Sequence, residues 1–402
     1  MQDSLETACD YLACGFLDDA IAVLEATLGQ ILTPDPMALY FLGYLKQQVC
    51  DVQMASTLWQ KAAAHHGNYV YSFRREEETA LRAAVMYEPQ DGLAHALLGM
   101  LELYKLNMKK AVPEFEQAIR LRPKWDQPIR LLSICQCMLG MLDEATKTLE
   151  HAVAVNPGNP GLYIELDELL ARHMVGEDRR RKLWDTAPRS ILDEDQARGR
   201  FASFLIDSEE YERAIEILLE HTFFPEEGSS VYRDLFVTAN LGLAVQAAET
   251  GQNKAALEYA RKAASYPDCL GLSTPVICYD APALVLQATI LQHCGEEVAT
   301  RELLERAAVE RHREINEAEY FSGLANRYLG REQSARAKFE HLVEKSKLDA
   351  AWPGRDVDYC VFLEVLGSAG LGNEIPSLES LSQGMQKRAA IYVRLCKSLL
   401  PI

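Results

Sequence analysis

Residues 88–123, EPQDGLAHALLGMLELYKLNMKKAVPEFEQAIRLRP, run directly into residues 122–157, RPKWDQPIRLLSICQCMLGMLDEATKTLEHAVAVNP. Pro89, Pro123 and Pro157 stand 34 residues apart, and so do Ala84, Ala118 and Ala152, each five residues before its proline. Within the period a small residue is followed 12 later by another, 16 later by a large apolar one and 19 later by a third small one: Gly99, Ala111, Phe115, Ala118, then Ser133, Ala145, Leu149, Ala152. A fixed internal period of this length marks a helical-repeat array, in which each unit buries its apolar face only against its neighbours.

Six further sets follow the same spacing. They are Ala8, Ala20, Leu24, Thr27; Gly43, Ala55, Trp59, Ala62; Ala202, Ala214, Leu218, His221; Ala244, Ala256, Ala260, Ala263; Ala288, Thr300, Leu304, Ala307; and Gly323, Ala335, Phe339, Leu342. The gaps from 43 to 99 and from 133 to 202 each leave room for a degenerate unit, with second helices expected around Glu77 to Ala84 and Arg179 to Thr186. Small residues where two antiparallel helices cross let the backbones approach, and the large residue fills the space beside the crossing. Proline then stops the second helix, as in Asn156-Pro157-Gly158-Asn159-Pro160, while Leu139-Gly140-Met141 and Leu329-Gly330-Arg331 read as turns inside a unit. No stretch alternates as a strand would.

The reading is an all-α, right-handed superhelical solenoid of about ten helical hairpins with a C-terminal helical cap from Arg355 to Ser398. The pattern divides it into 1–64, N-terminal repeats; 65–187, central repeats; 188–346, C-terminal repeats with long insertions; and 347–402, the cap.

The spacing resembles that of tetratricopeptide repeats over residues 1 to about 345. A narrower resemblance is carried by Phe73-Arg74-Arg75, by Leu162 to Leu169 (LYIELDEL), by Phe223 to Gly228 (FFPEEG) and by Tyr266 to Gly271 (YPDCLG). These segments are similar to the helical half of large bacterial proteins that join such repeats to an N-terminal β-rich, galactose-mutarotase-like domain of unknown function. Glu226-Glu227-Gly228-Ser229 departs from the Trp-Glu-Gly-Gly usual there, and no β-rich stretch is present. The resemblance implies an interaction scaffold whose partner is a protein or peptide, including a β-rich domain. The alternative it implies is an accessory repeat module of a carbohydrate-active enzyme or carbohydrate-binding protein.

Charge narrows the partners. With 59 Asp and Glu against 41 Lys and Arg the chain carries net −18, so phosphate backbones and anionic lipid surfaces are repelled and neither nucleic acid nor membrane is expected. The longest uncharged stretches, 235–248 and 281–294, are 14 residues each and read as buried helices. Ten cysteines without a CxxC pair, no N-glycosylation sequon and an acidic start fit a reducing cytoplasm. No nucleophile elbow, phosphate loop, kinase signature or zinc spacing occurs, so the chain reads as non-catalytic, with no cofactor and no metal.

First helices should form the inner wall of each unit, which places Met100, Tyr104, Arg130, Ile134, Cys137, Glu168 and Arg172 as a partner-binding groove. Methionine and tyrosine suit adaptable recognition, although the same positions also serve packing between units. The Lys and Asn clamp of chaperone-tail-binding tetratricopeptide domains is missing: Ala96, Met100, Arg130 and Ile134 stand there. Phe223, Phe224 and Tyr266, in the long insertions 221–233 and 265–282, are the second candidate contacts, with internal packing as the equal alternative. The basic run Arg172, Arg179, Arg180, Arg181, Lys182 reads as a solvated helix face, so Arg180→Ala is expected to cost within about 0.5 kcal/mol.

Overall fold

The computed structural model describes all of the chain except residues 1, 31–33, 67–69, 73, 173–176, 226–228, 273–279, 311–314, 353, 374–380, 382–384, 387–388 and 393–402. Among the described residues its regular structure is entirely helical, with no strand. It forms two compact units, Met1–Leu162 and Tyr163–Ile402.

In the first unit α1 (Gln2–Ala13) pairs with α2 (Leu17–Leu28), and α3 (Pro36–Gln48) with α4 (Val52–Ala63). After the single helix α5 (Arg75–Tyr87), α6 (Gly92–Tyr104) pairs with α7 (Met108–Leu121) and α8 (Asp126–Met138) with α9 (Leu142–Val155). The second unit contains α10 (Pro160–Arg172), α11 (Glu177–Thr186), and the hairpins α12 (Asp195–Asp207) with α13 (Tyr211–Leu219) and α14 (Val231–Glu249) with α15 (Asn253–Ala263). It continues with α16 (Ala281–His293) and α17 (Glu297–Ala308), α18 (Glu317–Tyr328) and α19 (Glu332–Ala350), and then α20 (Val357–Leu371) against α18 and α19.

The small-large-small spacing becomes the packing of each hairpin. Ala111, Phe115 and Ala118 are fully buried, and so are Ala145 and Ala152. A Cβ added at Gly99 would lie 2.7 Å from the Phe115 ring, one at Gly43 2.4 Å from Trp59, and one at Gly323 2.5 Å from Phe339. The large side chain therefore lies on the bare backbone of the residue 16 positions earlier. Where the small residue is Ser133, its hydroxyl donates to the Ala145 carbonyl at 2.8 Å, and in the hairpin of Ala288 the Thr300 hydroxyl donates to the Ala288 carbonyl at 3.3 Å.

Eight of the hairpins turn in three residues by one device. The middle residue is left-handed, with φ between 58° and 84°, and the N–H after it reaches back to the carbonyl five residues earlier, as Met141 does to Gln136 at 2.9 Å. Glycine fills the left-handed place five times, at 15, 140, 251, 295 and 330. Cys50, Leu106 and Glu209 occupy it in the others, where a side chain costs roughly 1–2 kcal/mol.

One expectation is corrected. The segment between Gly43 and Gly99 holds one helix of its own, α5, rather than two: its described residues at 64–66, 70–72 and 74 are not helical. Val70 is buried and the Ser72 hydroxyl donates to the Leu97 carbonyl at 2.5 Å, so these residues pack against the repeats without forming a helix. Their composition, Val70-Tyr71-Ser72 after Gly67, disfavours a helix. Of the expected cap from Arg355 to Ser398, the described part holds α20 and helical residues at 385–386 and 389–392, and the remainder lies outside the described residues. Tyr392 is buried between Phe321 and Phe362, at 5.8 and 5.7 Å between ring centroids, and its hydroxyl donates to Glu317 at 3.0 Å.

Gly99→Ala is expected to destabilise by about 1–3 kcal/mol, because the Phe115 ring has no free space to move into, and Ala118→Leu to do the same by overpacking. Urea melts followed by circular dichroism measure both.

Candidate functional site

In the first unit α6 is buried along its length from Gly92 to Glu102, which includes Met100 at 7% exposure. Tyr104, its last residue, is 71% exposed. Arg130, Ile134 and Cys137 are half-buried and share one face of α8 at helical spacing, and α8 lies beside α6. Of the sequence-derived groove residues in this unit, Tyr104 is thus the one that presents a large open surface. The neighbouring thiol Cys135 is buried, which pushes its pKa up to about 11 and makes it an inert core residue. An open pocket that the sequence reading did not anticipate lies where α7, α8 and α9 meet. Its floor is Ile119, Ile129 and Leu132, and its rim Glu116, Lys147 and His151. The expected groove draws on first helices, whereas this pocket takes Glu116, Ile119, Lys147 and His151 from the second helices α7 and α9.

In the second unit Glu168 is half-buried and Arg172, closing α10, is exposed. The insertion residues separate into two roles. The Phe223 ring stacks on Tyr232 with centroids 4.0 Å apart and is 1% exposed, whereas Phe224 is 82% exposed. Tyr266 is half-buried: the Arg233 guanidinium lies 3.8 Å over its ring, and its hydroxyl donates to Asp280 at 2.9 Å. Arg233, also buried, donates to the same carboxylate at 2.6 Å. Glu310 closes this cluster by accepting the N–H groups of Asp280 and Ala281 at 3.2 and 3.0 Å, at the start of α16. Burial, assisted by the nearby Asp280 charge, pushes the Glu310 carboxyl up to about 7, against the two N–H bonds and Lys338.

The basic run is only partly solvated. Arg179 and Lys182 are exposed, but Arg180 is 5% exposed and bonds the fully buried Asp167 through Nε at 2.8 Å and Nη2 at 3.0 Å. Its third nitrogen donates to Asp207 at 2.9 Å, and Asp167 also accepts from Trp184 Nε1 at 3.0 Å and from Arg200. The expectation that Arg180 sits on a solvated face is therefore wrong. The signal was present: Arg180, Leu183 and Trp184 fall at i, i+3 and i+4, the spacing of a buried helix stripe. Asp167 lies in LYIELDEL, so that motif supplies a buried charge holding α10, α11 and α12 together.

Among the described residues no helix is long and apolar enough to cross a membrane, and no three His, Cys, Asp or Glu side chains gather as a metal-ligand group. No protein-family profile and no curated protein sequence matches the chain. Solved structures similar to it include YrrB, a TPR protein with an unusual peptide-binding site, at 16% identity over 46% of this chain and 91% of that one, TM-score 0.36. TTC0263, a thermophilic TPR protein of Thermus thermophilus, is 20% identical over 51% of this chain and 98% of that one, TM-score 0.29. PilW, a type IV pilus biogenesis factor, is 17% identical over 54% and 91%, TM-score 0.29. At these TM-scores the likenesses carry no argument of their own. The class, a tetratricopeptide-like all-α helical repeat, rests on the 34-residue period and the hairpins built on it.

Arg180→Ala leaves Asp167 and Asp207 short of their main cation and is expected to cost about 3–5 kcal/mol, several times the surface value, in urea melts. A carboxyl whose folded pKa lies above its unfolded value binds its proton more tightly when folded. Stability contributed by Glu310 is thus full below about pH 4.5 and is lost as pH rises to about 7. Between pH 5 and 8 the wild type should lose up to about 3 kcal/mol that Glu310→Gln does not lose, measured as the difference in slope of stability against pH.

Proposed function

We propose that this chain is a non-catalytic scaffold that binds a peptide or protein segment through the open ends of its first helices and through the insertion after α13. The observation that carries the reading is Tyr104: a helix otherwise buried along its length ends in an aromatic side chain 71% exposed. Such a ring offers large contact area with little rotamer freedom to lose. Arg130, Ile134 and Cys137 extend that surface on α8, and Glu168 with Arg172 form the corresponding surface of the second unit. Met100 is buried in the core one turn earlier, a position that suits packing. The described cysteines stand as thiols, which suits a reducing compartment such as the cytoplasm.

The alternative, an accessory module serving a carbohydrate-active or β-rich domain, draws on the insertion. There Phe223 and Pro225 close on Cys269 and Gly271, so two of the segments carrying that resemblance form one clasp.

Peptide-display selection on the full chain, followed by fluorescence-anisotropy titration of a recovered peptide, tests the scaffold reading. Tyr104→Ala or Arg172→Ala is expected to weaken binding at least tenfold with an unchanged thermal melt. Equal affinities of every recovered peptide for both variants and the wild type would remove the first-helix surface from the proposal.

A further inference from the structure

Phe224 is a large apolar side chain held out in water by a backbone that has no freedom to withdraw it. The N–H of Phe223 donates to the Cys269 carbonyl at 2.8 Å, and the N–H of Phe224 donates to Asp195 Oδ2 at 2.8 Å. The other oxygen of Asp195 is engaged by His221 Nε2 at 2.6 Å. Pro225 lies on Gly271 so closely that an added Cβ there would stand 2.3 Å from the proline ring. Three consecutive residues are therefore fixed, with the first ring buried and the second 82% exposed. A fixed, exposed aromatic loses little conformational entropy when a partner covers it, which is the property of an interface anchor.

The charges around it decide what that partner is. Asp193 and Glu194 immediately precede the Asp195 that holds the Phe224 backbone, and both are exposed. Glu216 and Glu220, on the final turns of α13 leading into the clasp, are exposed as well. The nearby Arg198 is half-buried with its guanidinium turned inward, donating to the Leu192 carbonyl at 2.7 Å and the Ile217 carbonyl at 3.2 Å. An apolar anchor with carboxylates around it complements a cationic segment that carries apolar side chains, and a chain of net −18 draws such a segment in from solution.

We infer that Phe224 is the anchor of a docking surface for a basic amphipathic peptide segment of another protein. This rests on the scaffold reading and gives the insertion its own partner chemistry.

The test is peptide-display selection on the full chain, with recovered peptides titrated against wild type, Phe224→Ala and the charge reversal Glu216→Lys/Glu220→Lys. The expected result is a set of peptides rich in Lys and Arg with interspersed apolar residues. Phe224→Ala and the charge reversal should each weaken these basic peptides at least tenfold. Thermal melts check that each variant remains folded. Peptides that bind but ignore Phe224, or Phe224-dependent peptides that are acidic or neutral, overturn the inference while leaving the scaffold reading standing. Recovery of no binding peptide at all overturns both.

Discussion

Three hairpins depend on one aromatic side chain of the second helix lying against the bare backbone of a glycine on the first, and the others keep Ala or Ser at that place. In the Gly99 and Phe115 pair the ring occupies the volume a Cβ would need, so the two helix axes come as close as backbone allows. The same arrangement brings the Tyr211 ring to Gly242, 2.6 Å from where a Cβ would be, and the Tyr232 ring to Gly199 at 2.7 Å. Those two pairs join different hairpins, α13 to α14 and α12 to α14, so one form of contact serves both within a repeat and between repeats. The residue at the crossing must then be Gly, Ala or a hydroxyl residue that bonds a facing carbonyl, which accounts for the period itself.

Close crossing also fixes the turn. Helices packed this tightly can be joined in three residues only if the chain reverses through a left-handed residue, and eight hairpins do so with the same hydrogen bond. Where Cys50, Leu106 or Glu209 takes that place, the packing of the hairpin outweighs the strain at its tip. Leu106 is also 72% exposed, so nothing in its own side chain compensates. The crossing is the stronger constraint.

The sequence made the hairpins legible because their determinants are local: Gly99, Ala111, Phe115 and Ala118 lie within 20 residues of one another and repeat. It misled where a residue's partner is distant or its class argues the other way. Arg180 reads as solvated by residue type and is buried by its place beside Leu183 and Trp184, with Asp207 27 residues away supplying the charge that permits it. The non-helical residues Val70 and Ser72 lie in a gap long enough for a repeat, and their partner, the Leu97 carbonyl, is 25 residues from Ser72. For the candidate surface, the insertion was legible as an irregularity of spacing. Which of Phe223 and Phe224 enters the core was not, since that choice is made by Cys269 and Asp195, 46 and 29 residues away.

The buried ionic groups of the second unit gather where the repeat pattern breaks. Asp167 with Arg180 and Arg200 stands at the degenerate helix α11, and Arg233 with Asp280, Tyr266 and Glu310 stands at the long insertion before α16. A methyl–ring contact tolerates small shifts in register, but a buried carboxylate must meet its donors at hydrogen-bond distance or bear the full cost of desolvation. Charges placed there define positions that the small-residue pattern cannot, and they do so at a cost in stability relative to an apolar core. The described residues around these charges are tied to the helices they join, and a surface such as that of Phe224 can be presented in fixed geometry by chain that belongs to no repeat.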